Sequence, residues 1–308
     1  MNMNRTRLRK IMKDPLYRRI ISYFSRKSRE DNNIRACYVI GSRAQINSYP
    51  TKFSDLDMEI IVKQKEPFVE NFSWVTSVAS YEFCYPQSPS DDCGMEIRVV
   101  FSNNKLADFV FMTPVEFQQA YNNKQYLNGV FGRGVAIISD KDSLLPTSVV
   151  WENTLPLLTE QTFNQEVKYL LFHLLYARNK VLAGEFLTAK NTIDVGIRKS
   201  LMTIIRWQEH IDDPQKDVWH RARHFERWAS LESQQLIRVS SPTYDKKTIN
   251  RALIDIYNYA RPIIVNIALK KGFSIEYAKD ISSYLVETPL KVSSNRVDLP
   301  RDSFTLER

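Results

Sequence analysis

Gly41-Ser42-Arg43-Ala44, followed after a short polar loop by Ser54-Asp55-Leu56-Asp57, is the stretch that decides how this chain reads. Just ahead of it, Ala36–Ile40 is an apolar run ending in Gly41, the pattern of a buried strand. Residues 42–54 include Ser48 and Pro50 and read as a loop. Asp55–Val62 alternates and then turns apolar, which predicts a second strand. Residues two apart on a strand share a face, so Asp55 and Asp57 project together. Two adjacent carboxylates repel unless a cation or a proton lies between them. A hard divalent ion such as Mg²⁺ takes oxygen ligands and is completed by phosphate oxygens. Gly41 lets a phosphate approach the backbone, and the Ser42 hydroxyl can donate to it. One element then holds a polyphosphate and the other its metal, which is the equipment for in-line transfer of a phosphoryl-type group.

Outward from this pair, Met95–Phe101 and Leu106–Met112 flank Ser102-Asn103-Asn104, a hairpin signal. Asp108 lies in the second arm among apolar neighbours, and such an acid needs a partner. If that arm runs beside Asp55–Val62, three acids converge. Asp108 is then either a third metal ligand or the acceptor of a proton from an attacking hydroxyl. The plainer alternative is an ion pair with Arg98 across the hairpin. Glu96, on the same face as Arg98, is either another base or acceptor-orienting acid, or the other half of an ion pair. Residues 66–80 favour a helix, Gln87–Gly94 a loop, and Pro114 opens a helix over Val115–Asn122.

From about Gln161 the texture changes. Val167–Lys180, Glu185–Trp207 and Thr248–Lys271 carry apolar residues at three- and four-residue spacing. The expected fold class is α+β. A mixed β-sheet domain with flanking helices is expected over residues 1–150, an all-helical bundle over 151–285, and a polar tail over 286–308. Glu185 and Asp194 are candidate acceptor-binding acids on helices whose charged residues otherwise face water. His173, His210, His220 and His224 lack the spacing and companions of a zinc set, and Trp207, Trp219, Phe225 and Trp228 read as helical core.

Composition bounds the class. The chain has 308 residues, 43% of them hydrophobic and 25% charged, which excludes a disordered or collagen-like protein. Its longest apolar runs, such as Ile263–Leu269, are far short of a bilayer span. Three cysteines, Cys37, Cys84 and Cys93, make an odd set that points to a reducing cytoplasm. The formal net charge of +8 is local. Residues 1–30 hold ten basic side chains against Asp14 and Glu30, and the remainder has 33 of each sign. That arm reads as a basic amphipathic helix with Leu16, Ile20, Ile21 and Phe24 on its inner stripe. With a neutral body behind it, nucleic acid is not the expected partner.

Taken together, these motifs resemble the aminoglycoside 6-adenylyltransferase (streptomycin adenylyltransferase) family of the nucleotidyltransferase superfamily. The resemblance runs over roughly residues 30–285. It rests on Gly41-Ser42-Arg43-Ala44-Gln45-Ile46-Asn47, Asp55-Leu56-Asp57, the hairpin with Asp108, Pro114-Val115-Glu116-Phe117, Asp140-Lys141-Asp142, and the helical stretch from Gly184-Glu185-Phe186 through Arg198 to Ile205-Arg206-Trp207. It implies a nucleotidyltransferase-type sheet domain followed by a helical acceptor-binding domain. It implies transfer of AMP from ATP to a hydroxyl of a small molecule such as an aminoglycoside, with release of pyrophosphate. Asp55, Asp57 and Asp108 would hold two Mg²⁺ ions, Gly41 and Ser42 the triphosphate, and Arg43 and Lys180 would assist at the phosphates. The partners would be ATP and the acceptor, with no membrane, and the protein a monomer or homodimer. A lincosamide or RNA as acceptor, or a non-catalytic antitoxin-like relative, are the alternatives.

Overall fold

The computed structural model describes residues 2–285 apart from 46, 47, 49, 90–92, 103, 147, 148, 150, 153, 154, 219–221 and 276–280. The expected polar tail, Trp219 and His220, and parts of the loops read at 42–54, 87–94 and 102–104 lie outside the described residues. The chain divides into two compact units, Met1–Thr154 and Leu155–Arg308.

The first unit is built on a six-stranded mixed sheet in the order β3-β4-β5-β2-β1-β6. The strands are β1 (Ile34–Ile40), β2 (Leu56–Val62), β3 (Tyr81–Gln87), β4 (Met95–Phe101), β5 (Lys105–Met112) and β6 (Ala136–Asp140). Only β2 and β5 pair in parallel; the other neighbours are antiparallel. Two strands carry little sequence signal. β3 is an edge strand exposed along most of its length, with Pro86 where only an edge tolerates it. β6 is short and half-buried, so it lacks the apolar run of its neighbour.

Alternation sorts the strand side chains onto two faces. Leu56, Met58 and Ile60 of β2 join Phe109 and Phe111 of β5 and Ile97 and Val99 of β4 on one. The second face is divided. At one end Ala36, Tyr38, Ile61 and Met112 are covered by Phe117 of the helix Pro114–Asn122 and by Phe131. At the other end it carries acids.

Residues 2–30 form two helices where one was expected. α1 (Asn2–Ile11) and α2 (Pro15–Glu30) are separated by Asp14, whose carboxylate accepts from the Leu16 amide at 3.0 Å, and Pro15 takes the first turn. α2 lays Tyr17, Ile20, Ile21 and Phe24 on the first face of the sheet. α1 runs along the edge strand β6. The Asn4 amide there donates to the Ile137 carbonyl at 2.9 Å and accepts from the Ile137 N–H at 2.8 Å, while Arg7 donates to the Val135 carbonyl at 2.8 Å. Backbone groups that an edge would leave open are thereby covered.

The second unit is helical, as expected. Its long members are Glu160–Leu182, Arg198–Asp212 and Lys246–Lys271, joined by Phe186–Asn191, a π-helical turn Thr192–Ile197, and the shorter Leu231–Val239. Phe163, Leu170, Leu174, Ile197, Leu201, Ile204, Leu253 and Ile256 form the centre of the core, and Trp207, Phe225 and Trp228 pack into it. No described helix is long and apolar enough to cross a membrane.

Among the described residues of this unit one carboxylate is buried. Glu209 is 1% exposed and accepts from Lys216 Nζ at 2.8 Å, the Ser230 amide at 2.7 Å and the Ser233 hydroxyl at 2.8 Å. Burial pushes the carboxyl up, but these donors together hold it below the usual carboxylate range. Glu209→Ala leaves the three donors unmatched and is expected to cost about 3 kcal/mol in denaturant unfolding. A depressed folded-state value means the stabilisation is complete above the unfolded value, about 4.3, and fades as pH falls through the folded value. The gap between parent and Glu209→Gln should therefore be constant above about pH 5 and shrink below about pH 4.

Candidate active site

The site starts from strand register. Arg98 of β4 stands opposite Asp108 of β5, Asp108 opposite Asp57 of β2, and Asp57 opposite Ile40 of β1. Side chains in such a row share a face, so one transverse line across four strands ends at the Gly41 bend. Asp55, just ahead of β2, projects to the same side. Carboxylate oxygens of Asp55, Asp57 and Asp108 lie within 4.8 Å of one another. Among the described residues this is the one group of acids, histidines or cysteines so arranged. The parallel β2–β5 pairing is what brings them together.

Electrostatics at the cluster are unfavourable without a cation. Burial and the neighbouring Glu96 push the Asp108 carboxyl up to about 6, with Asp55 adding to the push and Arg98 opposing it. Arg98 lies 4.0 Å from Asp108 and 3.2 Å from Glu96. The plainer expectations for Asp108 and Glu96 are thus both present as ion pairs, alongside the convergence of the three acids rather than in place of it. Arg98 also hydrogen-bonds Tyr85, its neighbour on β3.

The bend after β1 is a single helical turn, α3 (Gly41–Ala44). Gly41 has φ +67°, and a Cβ there would lie 2.0 Å from Asp57 Oδ2 and 2.9 Å from Asp57 Cγ. No other residue type leaves the Asp57 carboxylate where it is. Ser42 is 2% exposed, and among the described residues its hydroxyl has no hydrogen-bond partner. A buried hydroxyl costs free energy until something accepts or donates. A clustered set of hard oxygen donors, a backbone cradle closed to a Cβ, and a waiting hydroxyl all fit a divalent metal and a phosphate group.

Arg43 has an additional occupation. Its guanidinium donates to the carbonyls of Asp55 at 2.8 Å and Thr51 at 3.2 Å, and to that of Ser54. It stacks over the Tyr17 ring at 4.3 Å, and the Tyr17 hydroxyl donates to the Ser54 carbonyl at 3.0 Å. Arg43 and Tyr17 together pin the loop that presents Asp55. Tyr17 escapes sequence reading because it sits on the buried stripe of α2, where any core residue would look the same.

The other candidates belong to the helical unit. Lys180 donates to both oxygens of Glu185 at 2.9 and 3.0 Å. Asp194 accepts from Lys190 at 2.6 Å, with Arg198 at 4.0 Å. An open groove of about 510 Å³ lies between the helix Glu160–Leu182 and the π-helical turn, lined by His173, Tyr176, Asn191, Thr192 and Gly196 among others. Of the acid–basic triplet at the end of β6, Asp140 caps the Leu144 and Leu145 amides at 2.9 and 3.0 Å, and Asp142 pairs with Arg35. Both are structural.

Among solved structures, the chain is similar to an aminoglycoside 6-adenyltransferase from Bacillus subtilis, with 14% identity, 83% of this chain and 90% of that chain covered, and a TM-score of 0.38. It is also similar to a nucleotidyltransferase-like protein from Exiguobacterium sibiricum, with 12% identity, coverage of 82% and 78%, and a TM-score of 0.30. No curated protein matches it by sequence. The family model for streptomycin adenylyltransferase matches residues 16–288, from the first turn of α2 to beyond the last described helix. The match takes in both units, and the chain belongs to the streptomycin adenylyltransferase family.

Proposed function

We propose that the protein transfers AMP from ATP to a hydroxyl of an aminoglycoside such as streptomycin, releasing pyrophosphate. The observation that carries the reading is the convergence of Asp55, Asp57 and Asp108 beside a buried serine hydroxyl that no described residue bonds. Family membership supports the nucleotidyl-transferring part.

Asp55, Asp57 and Asp108 would hold Mg²⁺, which when bound neutralises the polyphosphate and the charge that develops on it. The Ser42 hydroxyl donates to a phosphate oxygen, and the bare Gly41 backbone leaves that oxygen room. Arg43 keeps Asp55 in place through the backbone and adds positive charge beside the phosphates. The acceptor oxygen bonds to the α-phosphorus, the bond to the bridging oxygen breaks, and pyrophosphate leaves. The hydroxyl proton passes to Asp108 or to Glu96, the two acids that flank Arg98. The helical unit selects the acceptor. Its groove offers the rings of His173 and Tyr176 for a sugar face and Asn191 and Thr192 for hydroxyls, and Glu185 and Asp194 of the same unit are the acids proposed for the acceptor's cationic groups.

The test is pyrophosphate release from ATP and Mg²⁺ with aminoglycosides, lincosamides and short RNAs as acceptors. Release that depends on an aminoglycoside, with the drug gaining an AMP group by mass spectrometry, is the expected result. Release only with RNA or a lincosamide would move the substrate. Silence with every acceptor from folded protein would overturn the enzyme reading.

A further inference from the structure

The whole positive excess of the chain lies in residues 1–30, and the structure shows where it points. α2 buries Tyr17, Ile20, Ile21 and Phe24, so Arg19, Arg26 and Arg29 are left on the outward side; α1 adds Arg5 and Arg9, and Lys13 follows in the turn. All six are exposed, and among the described residues none has a carboxylate within ion-pair distance. Of the three acids in or next to these helices, Asp14 pairs with Lys105 and Asp31 with Lys27, which leaves Glu30 as the one exposed acid among them. Surface helices ordinarily mix signs, and an unopposed cationic face has a polyanion as its natural partner.

We infer that the outer face of α1 and α2 docks the phosphodiester backbone of a nucleic acid. Three features favour this over an anionic membrane. Among the described side chains no large hydrophobic one before Phe53 is exposed, and a helix that lies on a bilayer needs such an anchor. Among the exposed basic residues of the arm, Lys10 and Arg18 included, arginine outnumbers lysine six to two, and its planar fork matches phosphate oxygens. The helices are also held rigidly, α2 by its core stripe and α1 by its bonds to β6, so little order remains to be gained on binding. From Arg19 to Arg29 the helix rises about 15 Å, against a duplex that carries one phosphate per roughly 1.7 Å of axis. Several contacts can form at once.

The surface is not a second acceptor site. α2 covers the sheet face bearing Leu56, Met58 and Ile60, whereas the three acids project from the other face. A nucleic acid held on the arm is an anchor, and this revises the expectation drawn from composition that the chain has no such partner.

Binding of the full chain to a fluorescent 24-base-pair RNA duplex, its DNA counterpart, and phosphatidylserine vesicles is the experiment. Both duplexes should bind, with the logarithm of affinity falling against that of salt with a slope of about −5 for six neutralised phosphates. The variant Arg19→Gln/Arg26→Gln/Arg29→Gln should bind at least ~10-fold more weakly at 0.1 M salt, with a slope shallower by about 3. Its unfolding midpoint should match the parent's, because all three residues are exposed. Asp57→Asn should bind like the parent, so the outcome does not depend on the proposed reaction. No binding at 50 mM salt, a flat salt response, an unaltered triple variant, or vesicles bound more tightly than either duplex would each overturn the proposal.

Discussion

Asp57→Asn should abolish nucleotidyl transfer, by roughly a thousandfold or more in kcat, or about 4 kcal/mol of lost transition-state stabilisation. Asp57 is central in the row that joins β5 to β1, and its carboxylate touches Gly41 on one side and faces Asp108 on the other. The amide keeps the shape and one oxygen but removes the charge a divalent ion needs. In metal-free protein the same change should do no harm to the fold, since it takes one of three mutually repelling acids away. The melting temperature without Mg²⁺ should be unchanged or higher. Parent protein should gain thermal stability with Mg²⁺, as any ligand of the native state confers, and the variant should lose that gain. Retained pyrophosphate release with the variant would mean that the chemistry lies elsewhere.

Gly41→Ala should be nearly as damaging by a different route. The new methyl would arrive 2.0 Å from Asp57 Oδ2, far inside contact distance, and Asp57 is too short to swing clear without leaving the row. The positive φ adds a backbone cost of about 1–2 kcal/mol for a residue with a Cβ. The expected result is a loss of about 1–3 kcal/mol in stability and roughly a hundredfold loss in kcat. Gly272 supplies the control. It has φ +70° at the end of the helix Lys246–Lys271, but nothing lies within 4 Å of a Cβ placed there. Gly272→Ala should show the backbone cost and full activity. Equal activity losses in the two variants would count against the cradle.

The strands that carry the acids were legible because they obey simple rules. β2, β4 and β5 alternate, and Asp108 stands out as a charge in an apolar run. The long helices of the second unit announce themselves by spacing alone. β3 and β6 escape because an edge strand needs no buried stripe. The break after α1 is written in Asp14-Pro15, a cap and a first-turn proline, yet the continuous basic character on both sides masks it. Partner choice is the hardest to read. Nothing in the string distinguishes Arg43, tied to three backbone carbonyls, from an arginine free to meet phosphate, and nothing says that Lys180 and Glu185 meet each other. Such pairings depend on where loops pass, which is set by tertiary contacts rather than by local pattern.

The parallel pairing of β2 with β5 also dictates the order in which the molecule acquires its chemistry. Asp57 and Asp108 become neighbours only after the chain as far as Met112 has been synthesised and a long excursion has been closed, and β1 gains its second flank later still, from β6. Closing loops of that size is entropically expensive and slow. A nascent or truncated chain that stops before β5 holds the bend and two acids but not the third, so the acid cluster is not complete until most of the first unit has been made.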